Sequence, residues 1–281
     1  MTFANLAGDG FDYFPCRYGT SKLLLRGPKK RLDGDFVAVI GGTETYGKFV
    51  PSPFADLLEA ETGIATVNLG CVNAGLDVLV SDAAIAEICA AARLTIVQIT
   101  GAQNMSNRFY SVHPRRNDRF LKASTLLQTI FREVDFTEFN FTRHMLTALR
   151  EKSPEKFKLV EDELRTAWVA RMQALVRKLH GRVALLWFSE RQPHEPDEVA
   201  EGQDPFYVDR RMLDLVAGDT LGLVEIVTRG FARDGMVVPE LDAALAAALP
   251  GPAAHRAAAA ALAPLLHAHI RPGGANEPSR G

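Results

Sequence analysis

Five short apolar runs punctuate the chain: FVAVIG (36–41), ATVNLG (65–70), TIVQITG (95–101), VALLWF (183–188) and LVEIVT (223–228). They are β-branched and continuous rather than alternating, the pattern of strands covered on both faces. Most end in glycine or a polar residue. Helical stretches separate them: PFADLLEAE after the first, LDVLVSDAAIAEICAAAR after the second, and SPEKFKLVEDELRTAWVARMQALVRKLHG before the fourth. The last should begin with Ser153 as N-cap and Pro154 in its first turn, and stop at Gly181. Strand alternating with helix predicts an α/β fold, a doubly wound five-stranded parallel sheet of flavodoxin-like type. In such sheets ligands bind beyond the carboxyl ends of the strands. The loops opening at Gly41, Gly70, Gly101, Phe188 and Thr228 are therefore the ones that matter.

The pattern also divides the chain. Residues 1–34, with RGPKKRLDGD, read as an arm laid on one α/β domain spanning 35–270. Residues 105–153 read as a largely helical insertion after the third strand. The polar, Pro/Gly-rich 271–281 read as a disordered tail. No repeat is present.

Composition narrows the function. The 281 residues are 47% apolar and 23% charged, with a formal net charge of −2. That suits a folded domain with a large core and disfavours a nucleic-acid partner. Cys16, Cys71 and Cys89 show no metal or redox spacing, which suits a reduced, cytoplasmic setting. MTFANLAGDGFDYF lacks the basic start and apolar stretch of a secretion signal. The alanine-rich 243–263 is broken by Pro250, Pro252, His255 and Arg256, so no membrane span is expected.

Within FVAVIGGTETYGKF, Gly42, Gly47 and Lys48 fit the spacing of a phosphate-binding P-loop. Phe49 stands where that motif needs a magnesium-binding hydroxyl, and Pro51 and Pro53 interrupt the helix that should follow. No G-x-G-x-x-G is present either. Nucleotide chemistry is disfavoured on these grounds, Lys48 is assigned to a solvated loop, and no cofactor is expected.

A different comparison extends further. VAVIGGTETYGKF resembles the first motif of the SGNH (GDSL-type) hydrolase superfamily, with Gly41, Gly42 and Thr43 in the Gly-Asp-Ser places and Thr45 and Gly47 following. VNLGCVNAG resembles the second motif, VQITGAQN the third, and AHRAAAAALAPLL the closing helix. The resemblance covers about residues 35–270 apart from the insertion. It implies Thr43 as nucleophile, an oxyanion donor at Asn73 or Gly75, and another at Gln103 or Asn104. Such chemistry needs a hydroxyl on a strand-end turn, donors aimed at the developing oxyanion, and a group that moves the proton. The departures are concrete. Gly42 replaces the aspartate and Thr43 the serine, whose extra methyl restricts χ1. The terminal Asp-x-x-His falls on Ala246 and Leu249. The base would then have to be His113, His144 or His255.

The run NMSNRFYSVHPRRNDRF follows the third strand and should overhang the cleft. Arg108, Tyr110, His113, Arg115, Arg116 and Arg119, with Glu44, are the candidate substrate-binding residues, because guanidinium forks suit anions. The competing reading pairs the arginines with Asp118, Glu133, Asp135 and Glu138. Phe131, Phe136, Phe139, Phe141, Trp168 and Met172 read as core, and a packed role is assigned to His144. QPHEPDEVAEGQD, with His194, Glu195, Asp197 and Glu198, lacks metal-ligand spacing. The expectation is a degenerate SGNH-like hydrolase that binds an anionic or carbohydrate-like small molecule and acts on an ester or acyl group through Thr43. A non-catalytic ligand-binding or assembly protein on the same fold is the alternative, and a transferase lacks any donor-specific motif.

Overall fold

The computed structural model describes residues 11–194 and 204–270. The N-terminal ten residues, the acidic 195–203 with Glu195, Asp197 and Glu198, and the tail read as disordered lie outside the described residues. In chain order the strands are β1 (Phe36–Ile40), β2 (Ala65–Asn68), β3 (Leu94–Gln98), β4 (Tyr110–His113), β5 (Arg116–Ala123), β6 (Val183–Ser189) and β7 (Gly222–Val227). The helices are α1 (Thr43–Tyr46), α2 (Phe54–Thr62), α3 (Leu76–Ser81), α4 (Ala83–Ala91), α5 (Thr125–Ile130), α6 (Thr142–Lys152), α7 (Pro154–Lys178), α8 (Arg210–Ala217), α9 (Ala243–Ala247) and α10 (Pro252–His269).

The main sheet runs β2-β1-β3-β6-β7 with every pair parallel. The five apolar runs are these five strands, and the doubly wound reading holds. Alternate residues of each strand face two separate cores. Phe36, Ala38 and Ile40 join α3, α4, α7 and α8 on one side. Val37 and Val39 join Phe54 and Leu58 of α2 and the small residues Ala254, Ala258 and Ala259 of α10 on the other. Burial on both faces of β1, β3 and β6 removes any need for polar alternation there, while the edge strand β7 is only partly covered.

Local chemistry sets the boundaries. Ser153 Oγ accepts from the Lys156 amide with Pro154 in the first turn of α7. Gly181 takes φ +70 just past that helix's end. Trp168 and Met172 are core, and the Trp168 indole donates to the Thr100 carbonyl at 2.9 Å. The stretch read as one helix after β2 is two. Asp82 leaves the helical region at ψ 114, and its side chain accepts from the Ile85 amide to start α4 afresh. A capping aspartate wins here over helical periodicity.

The insertion departs from its largely helical reading. It opens with an antiparallel hairpin, β4–β5, and only then continues through α5 and α6. The strand alternation is masked by register shifts at Ser111, Val112 and His113 and by the arginines on the exposed side. Asn117, fully buried in β5, accepts from the Gly75 and Val78 amides and so ties the hairpin to the start of α3.

The arm folds back on itself through an isolated bridge between Cys16 and Leu25 and is anchored to the domain by Arg26. Arg26 is 4% exposed, and its guanidinium donates to the carbonyls of Tyr46, Gly47, Val50 and Pro51. Tyr13, Phe11 and Tyr46 rings pack around the cation at 5.1 to 5.9 Å. One arm residue thus fixes the segment after β1. The three cysteines are free, and among the described residues no helix is long and apolar enough to cross a membrane.

Candidate functional site

The carboxyl ends of β1, β2 and β3 meet at a pocket lined by Gly42, Thr43, Glu44, Asn73, Gln98, Asn104, Asp204 and their neighbours. It opens into an outer cleft of about 880 Å³ bounded by the insertion on one side and α9 on the other. Thr43 and Asn104 therefore share one cavity, as the strand-end argument required. Glycine makes the convergence possible: a side chain at Gly70 would strike the Thr45–Tyr46 backbone, and one at Gly75 would meet the Asn104 carbonyl at 2.1 Å.

The turn after β1 is held by Gln98. Its Oε1 accepts from the Gly42 amide, the Thr45 amide and the Thr45 hydroxyl at 2.9, 3.2 and 2.6 Å. Three donors at the oxygen force Nε2 to the other side, where it donates to Glu44 Oε2 at 2.9 Å. Asn68 adds a bond to the Thr45 carbonyl. Gln98 is a positioning residue that sequence reading missed, because it lies inside an apolar strand.

The structure sets the four strand-end candidates apart. The Asn73 amide donates to Thr43 Oγ1 at 3.0 Å, with Asn73 at φ +58, a left-handed conformation that asparagine tolerates. The Gly75 amide is taken by Asn117. Asn104 Oδ1 accepts from the Thr142 hydroxyl at 2.7 Å, which leaves its NH2 as the donor end, and it lines the inner pocket. Gln103 instead spends its NH2 on Asp204 Oδ1 at 2.7 Å and lines only the outer cleft.

The histidines separate as well. His255 lies in the α2–α10 core, and its Nδ1 accepts from the Phe54 amide at 3.0 Å. Phe54 and Phe188 pack on the ring at 5.9 and 5.1 Å. Burial, with Arg26 as a lesser cause, pushes its pKa down to about 3. It is a neutral core residue away from the pocket, which corrects its assignment to catalysis. His113 belongs to the hairpin turn, where its Nδ1 accepts from the Arg115 amide, outside the cleft lining. His144 of α6 lines the outer cleft, its ring set edge-on to Phe139 at 5.0 Å.

The basic cluster does not line the cleft. Arg108 pairs with Glu163 of α7 at 2.9 Å, Arg116 with Asp118 at 3.6 Å, and Arg119 stacks over Phe141 at 4.5 Å. Arg115 is exposed at the hairpin tip. Tyr110 is buried and donates its hydroxyl to the Gln103 carbonyl. Arg108 thus ties the insertion to α7 through Glu163, which the competing reading did not name, and of its four carboxylates only Asp118 pairs with one of these arginines among the described residues. The charged lining is instead Glu44, Asp118, Glu190, Asp204, Arg143 and His144. Of the substrate-binding candidates only Glu44 reaches the cavity.

Lys48 is not on a free loop: it approaches Asp242 at 3.8 Å and lies over the Phe49 ring. Phe49, at φ +69 and 1% exposed, packs with Ala246, Leu249, Met236 and Val238. Its carbonyl accepts from the Val237 amide. Residues 244–250 then wall the cleft with alanine, leucine and proline. Of the two residues at the Asp-x-x-His places, Leu249 lines the cavity and Ala246 packs beneath it with Phe49, and neither is titratable. Among the described residues no group of three or more potential ligands could hold a metal.

Over residues 1–270 the chain belongs to the family described as Domain of unknown function (DUF6473). No curated protein matches it. Among solved structures, the lipase Lip_vut3 from a goat rumen metagenome is similar at 11% identity and a TM-score of 0.43, over 85% of this chain and 99% of that one. A likeness this distant carries no chemistry across.

Proposed function

We propose that the protein is an SGNH-like hydrolase that cleaves an ester or acyl group on a neutral, hydroxyl-rich small molecule, with Thr43 as nucleophile. The observation that carries this is the hydroxyl of Thr43 at the pocket floor, held by the Asn73 amide at 3.0 Å beside Asn104, on a turn locked by Gln98. A preorganised donor beside a reactive oxygen acts without reorganisation at the moment of reaction. As the acyl oxygen develops charge, the Asn104 NH2 is the donor at hand, while the Asn73 amide orients the Thr43 hydroxyl. Four carboxylates against one arginine and one histidine in the lining favour a carbohydrate-like ligand over an anionic one.

The test is turnover of acetylated monosaccharides and p-nitrophenyl acyl esters by the wild type and Thr43→Ala. The expected loss is on the order of 10³-fold or more. Unchanged turnover removes Thr43 from the mechanism. A second reading, binding without turnover, is favoured by Ala246 and Leu249 at the Asp-x-x-His positions. It predicts sugar binding by calorimetry that weakens in Asn104→Ala while no ester is cleaved.

A further inference from the structure

The resemblance to SGNH hydrolases leaves the proton transfer unassigned, since no histidine lines the inner pocket around Thr43. Two carboxylates do. Glu44 follows Thr43 directly, and its Oε2 is fixed by Gln98, whose own orientation is dictated by three donors. Asp204 enters from the segment after β6. Its Oδ1 is fixed by Gln103 Nε2 at 2.7 Å and by the Phe206 amide at 3.4 Å. Gln103 is held in turn by Tyr110 through its carbonyl and is 4% exposed, yet its Oε1 has no partner among the described residues. A buried amide oxygen left unpaired at a cleft wall is a place for a ligand hydroxyl.

We propose that Glu44 and Asp204 form an acid–base pair that does the work of the missing histidine, Asp204 as the base and Glu44 as the acid. This rests on the reading of Thr43 as nucleophile. Asp204 takes the proton of Thr43 Oγ1 as that oxygen bonds to the acyl carbon. Glu44 gives its proton to the departing alkoxide as the acyl C–O bond breaks. Water then attacks the acyl-threonine and gives a proton to the Glu44 carboxylate. Asp204 returns its proton to Oγ1 as the acyl bond breaks, so ester and water become acid and alcohol and both carboxyls regain their starting states.

Their surroundings rank the two groups. Burial raises the Glu44 pKa, and the nearby charge of Asp204 raises it further. Asp204 is also raised by desolvation, but Gln103, Phe206, Arg143 and Arg191 all oppose this. The charge of Asp204 is among the causes that hold the Glu44 proton on, so Asp204 is the member of the pair that ionises first. Two carboxyls whose surroundings separate their affinities take acid and base roles. Asp118, Glu190 and His144 face the same cleft further out.

Two measurements on the full chain test this. The first follows the Glu44 carboxyl carbon by NMR across pH, without any substrate. Its midpoint should lie above the ordinary glutamate value and fall by about half a pH unit or more in Asp204→Asn. An unchanged midpoint overturns the pair. Should that variant misfold, the wild type decides, because two midpoints within the ordinary carboxylate range would also overturn it. The second is the pH profile of ester turnover. Glu44→Gln and Asp204→Asn should each lose about 100-fold or more, the first removing the alkaline limb and the second the acidic limb. If Thr43→Ala abolishes turnover while both carboxylate variants keep the full profile, the pair is wrong and the nucleophile stands. If instead His144→Ala removes the acidic limb, the base is His144 and the pair falls.

Discussion

Two segments of the chain meet across the same cleft and are built in opposite ways. The turn after β1 is over-determined by polar contacts: Gln98 holds it from within, Asn68 and Asn73 from the side, and Arg26 from the arm. The segment before α10 packs mainly through Phe49, Met236 and Val238, with single polar ties from Val237 to Phe49 and from Arg233 to the Leu249 carbonyl, and leaves Leu241 fully exposed and Leu245 43% exposed. Hydrogen-bond geometry is directional and places an atom, whereas apolar contact only keeps a wall in position. The first segment is therefore suited to holding a reacting group. The second is suited to shaping and drying a cavity, although in the SGNH pattern it would supply the histidine.

That contrast can be broken from either side. The largest effect should come from Arg26→Leu, which strips four backbone carbonyls of a charged donor. Hydrogen bonds to charged groups are worth ~1.5–3 kcal/mol each and do not add, so a loss of about 3 kcal/mol or more is expected in urea unfolding. A loss under ~1 kcal/mol would mean that the turn holds itself. Leu249→Ala should cost about 2 kcal/mol, the low end for a buried leucine because its cluster is small. A cost near ~5 kcal/mol would show the wall to be part of the main core.

The smallest effect should be a gain. The folded Glu44 has a raised pKa, so its stabilising contribution is complete below the ordinary carboxylate range and is lost as pH rises through the folded value. Glu44→Gln removes that loss. Its thermal midpoint should exceed the wild type's above that window by a few degrees at most, and the gap should close in acid. A lower midpoint at neutral pH would show that Glu44 serves stability rather than chemistry.

Much of this was legible in the sequence. Strands buried on both faces leave continuous β-branched runs, and the Ser153-Pro154 start of α7 follows from capping alone. Thr43, Asn73 and Asn104 lie at strand ends, where topology forces loops together. What stayed hidden was long-range. Gln98 looks like a polar interruption of an apolar strand until its partners 53 and 56 positions away are seen. Asp204 belongs to a segment with no periodicity. The arginine cluster misled because charge density reports exposure, and only packing told whether it faced the cleft or α7. Glycine after β2 was visible, but its choice between donor and spacer depended on Asn117 in a hairpin whose alternation the register shifts obscured.

The clamp at Arg26 also bears on where this unit can be cut. A fragment begun at Asp35 would retain all five parallel strands and both layers of helices. It would lack the cation that gathers residues 46–51, and with it the Tyr13 hydroxyl that accepts from the Phe49 amide. Shortening the polypeptide to its visible sheet would thus loosen the wall on the far side of the cavity, through Phe49, before it disturbed a single strand.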